Sequence, residues 1–376
     1  MNKRVDTHKP VKLELIRSWD GLVAISDQWN DLLSDSWADT IFLRWEWVSV
    51  WKDTCIDDIE PFVITVREDN DNLIGLVPFY QTEYRLLNIV RYKVLHVIGD
   101  SASGSEYPAW IISKEHESKN IYNLIVNMLE SHAGEWDWMW MKGVRVFGGQ
   151  ARNIHGIVKK KYYINSRKNN SSSIDLRNYK KESINSLSRN KRSQLRRDLK
   201  KVLVYGEVHI TKCENRKEID QYLDVLFKLH NIRWQSKGLK GMFERLPWEM
   251  DFYRHFATAA LENGWLRLYV LHQEGVIKAV QIGYVYNNIY CQLQEGFDPE
   301  HLSGAGNVLR LHVTDECVRE GLTEYDFLGG YTEHKRRWGS RERACYDLFI
   351  GRKSLKNLLI FVKNIWPTGR FLKISK

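Results

Sequence analysis

Two glycines placed directly before a helix-like run are the residues whose type and spacing most clearly predict chemistry. The segment YCQLQEGFDPEHLSGAG contains Gly304 and Gly306, and the apolar spacing of a helix follows in NVLRLHVTDECV. The first turn of a helix has unpaired backbone N–H groups, and the helix dipole adds partial positive charge there. The pattern therefore predicts a phosphate or diphosphate site at Ser303, Gly304, Ala305, Gly306 and Asn307. A plain tight turn is the alternative.

Two carboxylates close to this segment are candidates for proton transfer. Asp326 lies in the apolar run YDFLGG, where an unpaired charge would be costly to bury, so it must be paired or functional. A buried structural pair with an arginine is the alternative. Glu295 ends the strand-like run before the glycines, although a glutamate beside a turn is more often simply exposed.

Covalent and metal catalysis find no recognisable residues. The sequence contains no GxSxG and no HExxH motif, and its 5 cysteines are scattered without a CxxC or Cys/His cluster. We therefore expect neither a metal site nor a disulfide framework. The N-terminus lacks an apolar signal core, and no run of about 18 apolar residues is present, so we expect a cytoplasmic protein, at most peripheral to a membrane.

The positive charge is concentrated in one segment. The chain of 376 residues has a net charge of +9, but residues 159–201 alone hold 15 Lys and Arg against 3 acidic residues. That segment carries +12 and the remainder −3. Within it, SLSRNKRSQLRRDLKKV places a basic stripe opposite an apolar seam on one helix. A solvated face is the ordinary interpretation, but unpaired like charges along this stripe favour contact with an anion.

The order of apolar runs predicts two similar α+β units. Helical spacing covers 19–33, 121–131, 251–263 and 306–320, and the runs FVITVREDNDNLIGLVPFYQ and LYVLHQEGVIKAVQIGYV each predict a hairpin. Because the hairpins agree in kind, we interpret them as a weak internal repeat. Alternating tryptophans in WEWVSVW and WDWMW indicate core packing.

The ordered segments WEWVSVW, LIGLVPFY, SLSRNKRSQLRRDLKKV, HNIRWQSKG, GFDPEHLSGAG and YDFLGGYTEHKRRWG resemble the CelD/BcsL-type acetyltransferases, which are related to Fem-type transferases. The glycine segment itself resembles the acyl-CoA loop of GNAT enzymes, with His301 in place of the usual Gln or Arg. The resemblance implies an α+β fold of two tandem GNAT-like units, each a mixed, mostly antiparallel sheet flanked by helices. We place the first unit at 11–165, a basic linker at 166–185, the second unit at 186–350 and an amphipathic tail at 351–376.

The resemblance also implies an activity, in which an acyl group, in the first place acetyl from acetyl-CoA, passes to an amine on an amino sugar, nucleotide sugar or glycan precursor. It implies a bacterial enzyme of polysaccharide biosynthesis, with no metal and an acceptor carrying anionic groups. Direct attack with a carboxylate base is the economical mechanism. Lys335, whose spacing to Trp338 matches the family, would hold a phosphate or polarise a carbonyl. Further expected substrate contacts are Arg192, Arg196, Arg233, Trp234 and Tyr331.

Three alternatives remain open from the sequence. In the Fem-type branch the donor is aminoacyl-tRNA, which would give the basic segment a nucleic-acid partner. A non-enzymatic polyanion-binding protein would use residues 159–201 alone. The tail LKNLLIFVKNIWPTGRFLKISK is basic and amphipathic, so it would either dock on the second unit or lie on a membrane surface.

Overall fold

The computed structural model of the chain describes residues 10–55, 59–86, 89–100, 104–145, 150–204, 206–297, 304–363 and 372–374. The strands are β1 Val11–Ile16, β2 Glu60–Glu68, β3 Leu73–Leu86, β4 Val90–Val97, β5 Ile111–Ile112, β6 Trp138–Arg145, β7 Tyr162–Asp175, β8 Val208–Lys212, β9 Leu266–Gln273, β10 Val276–Tyr286, β11 Ile289–Phe297, β12 Glu324–Gly329, β13 Arg341–Arg352 and β14 Leu372–Ile374.

The helices flank this sheet. They are α1 Trp19–Val23, α2 Ser26–Ser34, α3 Trp45–Cys55, α4 Lys119–Ser131, α5 Gln150–Lys161, α6 Arg189–Val204, α7 Arg216–Gln235, α8 Met242–Arg245, α9 Trp248–Glu262, α10 Ala305–Arg319, α11 Glu333–Arg337 and α12 Leu355–Val362. Short 3₁₀ turns occur at Ile41–Leu43 and Ser183–Ser186.

The predicted α+β class is confirmed, because one large and mostly antiparallel sheet has helices packed against it. Its strand order is β1-β2-β3-β4-β6-β13-β7-β12-β11-β10-β9-β8, with β5 and β14 pairing with β3. In each half, an antiparallel meander is followed by a helix and then by a parallel strand. The parallel pairs are β4 with β6 and β11 with β12. The two halves thus repeat one plan, as the paired hairpins indicated.

The hairpins form where the sequence predicts them. The first is β2–β3, and the second is β9–β10, whose turn residues Glu274 and Gly275 both have positive φ (50° and 76°). Consecutive left-handed residues match the right-handed twist of the two strands, which explains the Glu-Gly pair at this turn.

Strands β7 and β13 tie the two halves into a single sheet. β13 comes from the end of the second half but pairs with β6 of the first. β7 follows the first half in the chain but pairs with β12 of the second. The two strands also pair with each other from Arg341–Ser173 to Arg352–Tyr162. Residues 166–175, placed by the sequence in a basic linker, are therefore part of a central strand.

The halves share a hydrophobic core as well as a sheet. Trp47 of α3 is fully buried, and its ring packs edge-on against Phe252 and Phe256 of α9 and Tyr284 of β10. The WEWVSVW run is helical and the WDWMW run enters β6, and Trp136, Trp138 and Trp140 are all buried. The tryptophans therefore serve the core, as predicted, and fix the arrangement of the halves.

The tail docks on the second half, as the sequence suggested, but it also reaches the first half. Helix α12 packs on β13 and β7 and extends to β4 and β6, where Asn357 accepts a hydrogen bond from the indole of Trp138. β14 pairs with Tyr84–Leu86 of β3 in the first half. The buried apolar residues of α12 pack there because Tyr92, Trp138 and Phe349 form an aromatic surface on that face of the sheet.

Candidate functional site

Helix α10 begins at the predicted glycines. Its N-cap is Gly304, whose φ of 109° is a left-handed conformation that glycine adopts without strain. A Cβ at this position would approach within 2.9 Å of the Asp198 side chain, so helix α6 comes very close to the turn. A Cβ on Gly306 would lie 2.8 Å from the ring of Phe297. Both glycines are thus required by close packing.

Asp198 and Lys191 of α6 both contact the side chain of Asn307 in the first turn of α10. The amide nitrogen of Asn307 donates to Asp198 Oδ2 (2.8 Å), and Lys191 Nζ donates to Asn307 Oδ1 (3.4 Å). The carboxylate of Asp198 therefore already places one negative charge near the positive end of the helix. Ser303 and His301 lie outside the described residues. The diphosphate site at Gly304–Asn307 stays a prediction.

Beside this turn, α6 and α11 line an open basic groove of about 660 Å³. Lys191 lies at its inner wall, buried, with its ammonium 4.3 Å from the centroid of the Trp338 ring. Burial and the neighbouring charge of Arg310 lower the pKa of Lys191 to about 8. We call this the α6–α11 groove; its lining residues are Ser188, Asn190, Lys191, Gln194, Arg197, Glu333, Arg336 and Arg337.

A second basic groove, of about 470 Å³, lies along the outer face of α6 and includes both arginines expected to contact substrate. Arg196 is exposed there. Arg192 is half-buried, and its guanidinium donates to the carbonyl oxygen of Leu187 (3.0 Å). One of its hydrogen-bond donors is therefore used by the backbone that precedes α6. We call this the α6 outer groove; it is lined by Arg189, Arg192, Ser193, Arg196, Arg197 and Lys200.

The parallel pairing of β11 and β12 ends after Cys291 and Asp326. Beyond that point β12 has an irregular register against β7 between Asp326 and Gly329. β11 continues to Phe297 while pairing with β10. One edge of β11 between residue 292 and Phe297 therefore lacks a strand partner among the described strands, and α10 begins close to its end.

Glu295 lies on this diverging part of β11 and is held by two arginines. Its carboxylate contacts the guanidinium of Arg310 and lies 3.4 Å from Arg233 Nη1. Burial alone would raise the pKa of Glu295, but the charges of Arg310 and Arg233 hold it below its usual value. A carboxylate stabilised in its charged form is a poor proton acceptor, so this geometry favours an orienting role.

Arg310 is the centre of this network and is itself 3% exposed. Its Nη1 lies 3.0 Å from Nε2 of His334. Desolvation and the charge of Arg310 lower the pKa of His334 to about 4, so the imidazole is neutral and accepts this hydrogen bond. Within the described part of the chain, Arg310 Nε and Trp338 Nε1 are buried donors without a hydrogen-bond acceptor.

Asp326 is buried and accepts hydrogen bonds from both halves of the molecule. Its donors are Tyr107 Oη (3.0 Å), Arg343 Nη2 (2.7 Å) and the backbone N–H of Leu328 (2.8 Å). The pairing with an arginine, left open by the sequence, is therefore present. Tyr107 and Leu328 have φ of 64° and 60°, which are unusual for non-glycine residues and often occur at functional sites.

Glu106, the neighbour of Tyr107, reaches across to the same turn. Its Oε1 accepts the backbone N–H of Gly329 (3.0 Å), and a Cβ on that glycine would lie only 2.5 Å from the same oxygen. Burial raises the pKa of Glu106 to about 7. The hydrogen bond from Gly329 acts to lower this pKa, and the nearby charge of Asp326 acts to raise it. A carboxyl group that titrates near neutrality is suited to accept a proton.

Lys335 also binds this turn rather than lying free in solvent. Its Nζ donates to the carbonyl oxygens of Phe327 (2.8 Å) and Gly330 (3.1 Å) and contacts that of Gly329. Burial lowers the pKa of Lys335, while the charges of Glu106 and Asp326 oppose that effect. Its ammonium therefore fixes the end of β12 close to Glu106.

The structure also places the other three residues that were expected to contact substrate, Arg233, Trp234 and Tyr331. Arg233 joins Glu295 and covers the ring of Phe297 at 4.8 Å. Trp234 is 36% exposed, and its indole donates to His230 Nε2 (3.0 Å), so it lies at the rim of the core. Tyr331 is half-buried just after the turn. No group of three metal-ligating side chains converges within the described ranges.

Sequence reasoning missed Glu106, Tyr107, Arg310 and Arg343. The segment SGSEYPAW gave no periodic signal, because its role depends on contacts with residues more than 200 positions away. Arg310 did carry a signal, since an arginine inside the apolar run NVLRLHV requires a buried partner. Glu295, which was named, is that partner.

We expect Asp326→Asn to destabilise the fold by about 3 kcal/mol, because it breaks a buried pair with Arg343. Tyr107→Phe should cost about 1 to 3 kcal/mol through loss of one donor to a buried carboxylate. Urea unfolding measures both. Tyr346→Phe is the control, since its hydroxyl makes no hydrogen bond within the described part of the chain. An Asp326→Asn protein of full stability would contradict the structural role.

Glu106 should make stability depend on pH. With a folded pKa of about 7 and an ordinary unfolded value, Glu106 releases its proton more readily when unfolded. Wild-type stability should thus fall as pH rises from about 4.5 to 7. Glu106→Gln removes this effect. The free energy of unfolding of the variant should therefore rise by about 3 kcal/mol relative to that of wild type across this pH range. Glu262→Gln, at an exposed site, should show no such growth, and an equal response would refute the assignment.

The second half matches a known family model. Residues 189–336 match the acetyltransferase (GNAT) domain, a range that holds α6, the glycine turn, α10 and α11. No curated protein matches the sequence.

Three solved structures share the fold over nearly their whole length. FemX superposes with a TM-score of 0.64 at 11% identity, covering 93% of this chain and 99% of FemX. The tandem GNAT protein from the clavulanic acid biosynthesis pathway gives 0.52 at 10%, covering 92% and 99%. The C-terminal domain of a putative lysylphosphatidylglycerol synthetase from Agrobacterium fabrum gives 0.52 at 11%, covering 91% and 96%.

These likenesses show the tandem GNAT fold. The matched residues include the glycine turn, most of the residues that line the two basic grooves, and the carboxylates Glu295 and Asp326. Residues 189–336 match the acetyltransferase (GNAT) domain model, and this match supports an acyltransferase.

Proposed function

We propose that this chain transfers an acyl group from acyl-CoA, in the first place acetyl-CoA, to an amine on an amino sugar, nucleotide sugar or glycan precursor. The observation that carries the proposal is the α6–α11 groove, which adjoins the first turn of α10 through Lys191 and Asn307. Resemblance to the CelD/BcsL-type enzymes supports the sugar acceptor.

The residues of the groove fit the phosphates of coenzyme A. Arg197, Arg336 and Arg337 line it together with Lys191, and Glu333 is its one carboxylate. A guanidinium group can donate two parallel hydrogen bonds to the oxygens of one phosphate, and an open groove leaves room for the ribose and base. The buried donors Arg310 Nε and Trp338 Nε1 lie at the same wall, where Lys191 and Arg310 both contact the Trp338 ring.

From the groove, the acyl arm would follow the edge of β11 that lacks a strand partner, towards Asp326 and Glu106. The reaction there forms a bond between the amine nitrogen and the acyl carbon and breaks the carbon–sulfur bond. The amine gives up a proton, and the departing thiolate of coenzyme A takes one up. Backbone N–H groups along the free strand edge are suited to bind the carbonyl oxygen as its negative charge develops.

Glu106 is our candidate for the base that takes the amine proton. Asp326 and Glu295 are the carboxylates that the sequence indicates, but each is bound to an arginine, and the arginines beside Glu295 hold its pKa below the usual value. Among the described residues, Glu106 accepts a hydrogen bond from a backbone N–H and from no side chain, and its pKa is about 7. In this proposal Asp326 and Lys335 hold the turn that positions Glu106, and Glu295 orients Arg310.

An acceptor with anionic groups would meet the α6 outer groove. Arg196 and Lys200 are exposed there, and the half-buried Arg192 also lines the groove. The Fem-type alternative uses the same surface for a different donor, aminoacyl-tRNA. A module made from residues 159–201 alone is disfavoured by the fold, because β7 pairs on both sides in the centre of the sheet and would lose its partners in isolation.

Calorimetric titration with acetyl-CoA tests the donor site. Arg336→Glu reverses a charge in the α6–α11 groove, and its side chain is 62% exposed, so the fold should tolerate it. We expect about tenfold weaker binding of acetyl-CoA, as for loss of a charge-assisted hydrogen bond. Acetyl-pantetheine, which lacks the nucleotide and its phosphates, should bind both proteins equally.

The matched control is Lys200→Glu, an equal charge reversal on the α6 outer groove, which should leave acetyl-CoA binding unchanged. Transfer itself is followed by mass spectrometry with glucosamine, glucosamine 6-phosphate and UDP-glucosamine as acceptors. Equal losses in the two variants would overturn the donor site. Failure to bind acetyl-CoA together with steeply salt-dependent binding of aminoacyl-tRNA would select the Fem-type donor instead.

A further inference from the structure

Helix α12 presents one face to the protein and a different face to solvent. Its inner face holds Asn357, Ile360 and Phe361, which are buried, and the Phe361 ring stacks on Phe349 and Tyr163. The helix is anchored further by Tyr92, whose hydroxyl donates to the carbonyl oxygen of Lys356 (3.0 Å). The helix is therefore fixed in one orientation on the sheet.

The outer face of α12 is apolar and uncovered. Leu355 is 89% exposed, Leu358 39% and Val362 69%. Their spacing of three and four residues places them on one side of the helix. Exposed single apolar residues are ordinary, but three on one face of a docked helix form a continuous patch that water solvates poorly.

Lysines surround this apolar face. Lys353 and Lys363 flank α12 at its two ends, and both are exposed. The ammonium of Lys353 donates to the carbonyl oxygen of Lys160 (3.1 Å), which brings the end of α5 beside the start of α12. That end carries the exposed residues Lys159, Lys160 and Lys161. The buried acid Asp137, which lies beside α12, is already bound to Arg352 and Lys356.

We propose that this surface, Leu355, Leu358 and Val362 with the lysines around them, docks on the headgroup layer of an anionic lipid bilayer. An apolar face inserts at the boundary of headgroups and acyl chains, while nearby lysines contact the negative lipids. Within the described residues no helix is long and apolar enough to span a membrane.

Charge selects the bilayer over a second copy of this chain as the occupant. Two copies that met through this face would bring two sets of lysines together, and like charges at an interface oppose association. An anionic membrane complements both the apolar and the basic parts of the surface. The proposal is independent of the donor and acceptor assigned to the enzyme.

Vesicle flotation of the full chain tests this surface. We expect the protein to float with vesicles that contain phosphatidylglycerol and to remain unbound with pure phosphatidylcholine. Leu355→Asp should weaken binding about tenfold, because it removes a large apolar side chain from the lipid and adds a negative charge. High salt should also weaken binding, since it screens the lysines.

Val276→Asp is the matched control, because Val276 is 56% exposed in the β9–β10 hairpin, away from α12. It should bind vesicles as wild type does. Absence of flotation with anionic vesicles, or equal loss in both variants, would overturn the proposal. A dimer in light scattering that Leu355→Asp dissociates, without vesicle binding, would assign the face to a second copy and also refute it.

Discussion

The pairing of β7 with β13 is the interaction on which the rest of this structure depends. Each strand belongs by chain order to one half and is hydrogen-bonded to the neighbouring strand of the other. The exchange joins two short meanders into one sheet and places Trp47 of the first half among the aromatics of the second. A buried core of this size would not form from either half alone, because each would expose the faces that the other covers.

The exchange also determines where buried charge can be tolerated. Arg343 on β13 reaches Asp326 on β12, and Tyr107 of the first half completes the hydrogen bonding of that carboxylate. Two non-glycine residues in left-handed conformations, Tyr107 and Leu328, are stabilised by the same carboxylate region. Strain of this kind costs energy and persists only where surrounding contacts determine the backbone. The result is a turn at the end of β12 that Glu106 and Lys335 both contact through hydrogen bonds.

Much of the fold could be predicted because it follows from local periodicity. The helix at Ala305–Arg319, the two hairpins and the burial of the tryptophans each have a pattern in the sequence. Strand β7 was missed because its middle, SRKNNSSS, is polar and resembles a linker. Its strand conformation comes from pairing on both sides, which is a tertiary effect that no local propensity reports.

The site was less accessible to sequence reasoning than the fold, for a related reason. Asp326 and Glu295 could be named from their apolar surroundings, but their arginine partners lie 17 and 15 residues further along. The pKa of Glu106 is raised mainly by burial, and the charge of Asp326, which lies more than 200 residues further along the chain, adds to the effect. Charge pairing across long sequence separations depends on topology. Residue type alone therefore identifies half of each pair.

A continuous sheet has a mechanical consequence for turnover. Many two-part enzymes bring their substrates together by closing one lobe onto the other about a hinge, but here the central ladder of β7 and β13 would have to shear for the halves to rotate. Substrate entry and product departure must therefore be governed by the loops at the ends of the strands and by side chains at the rims of the grooves. The continuous sheet itself then serves as a fixed support for the two basic grooves.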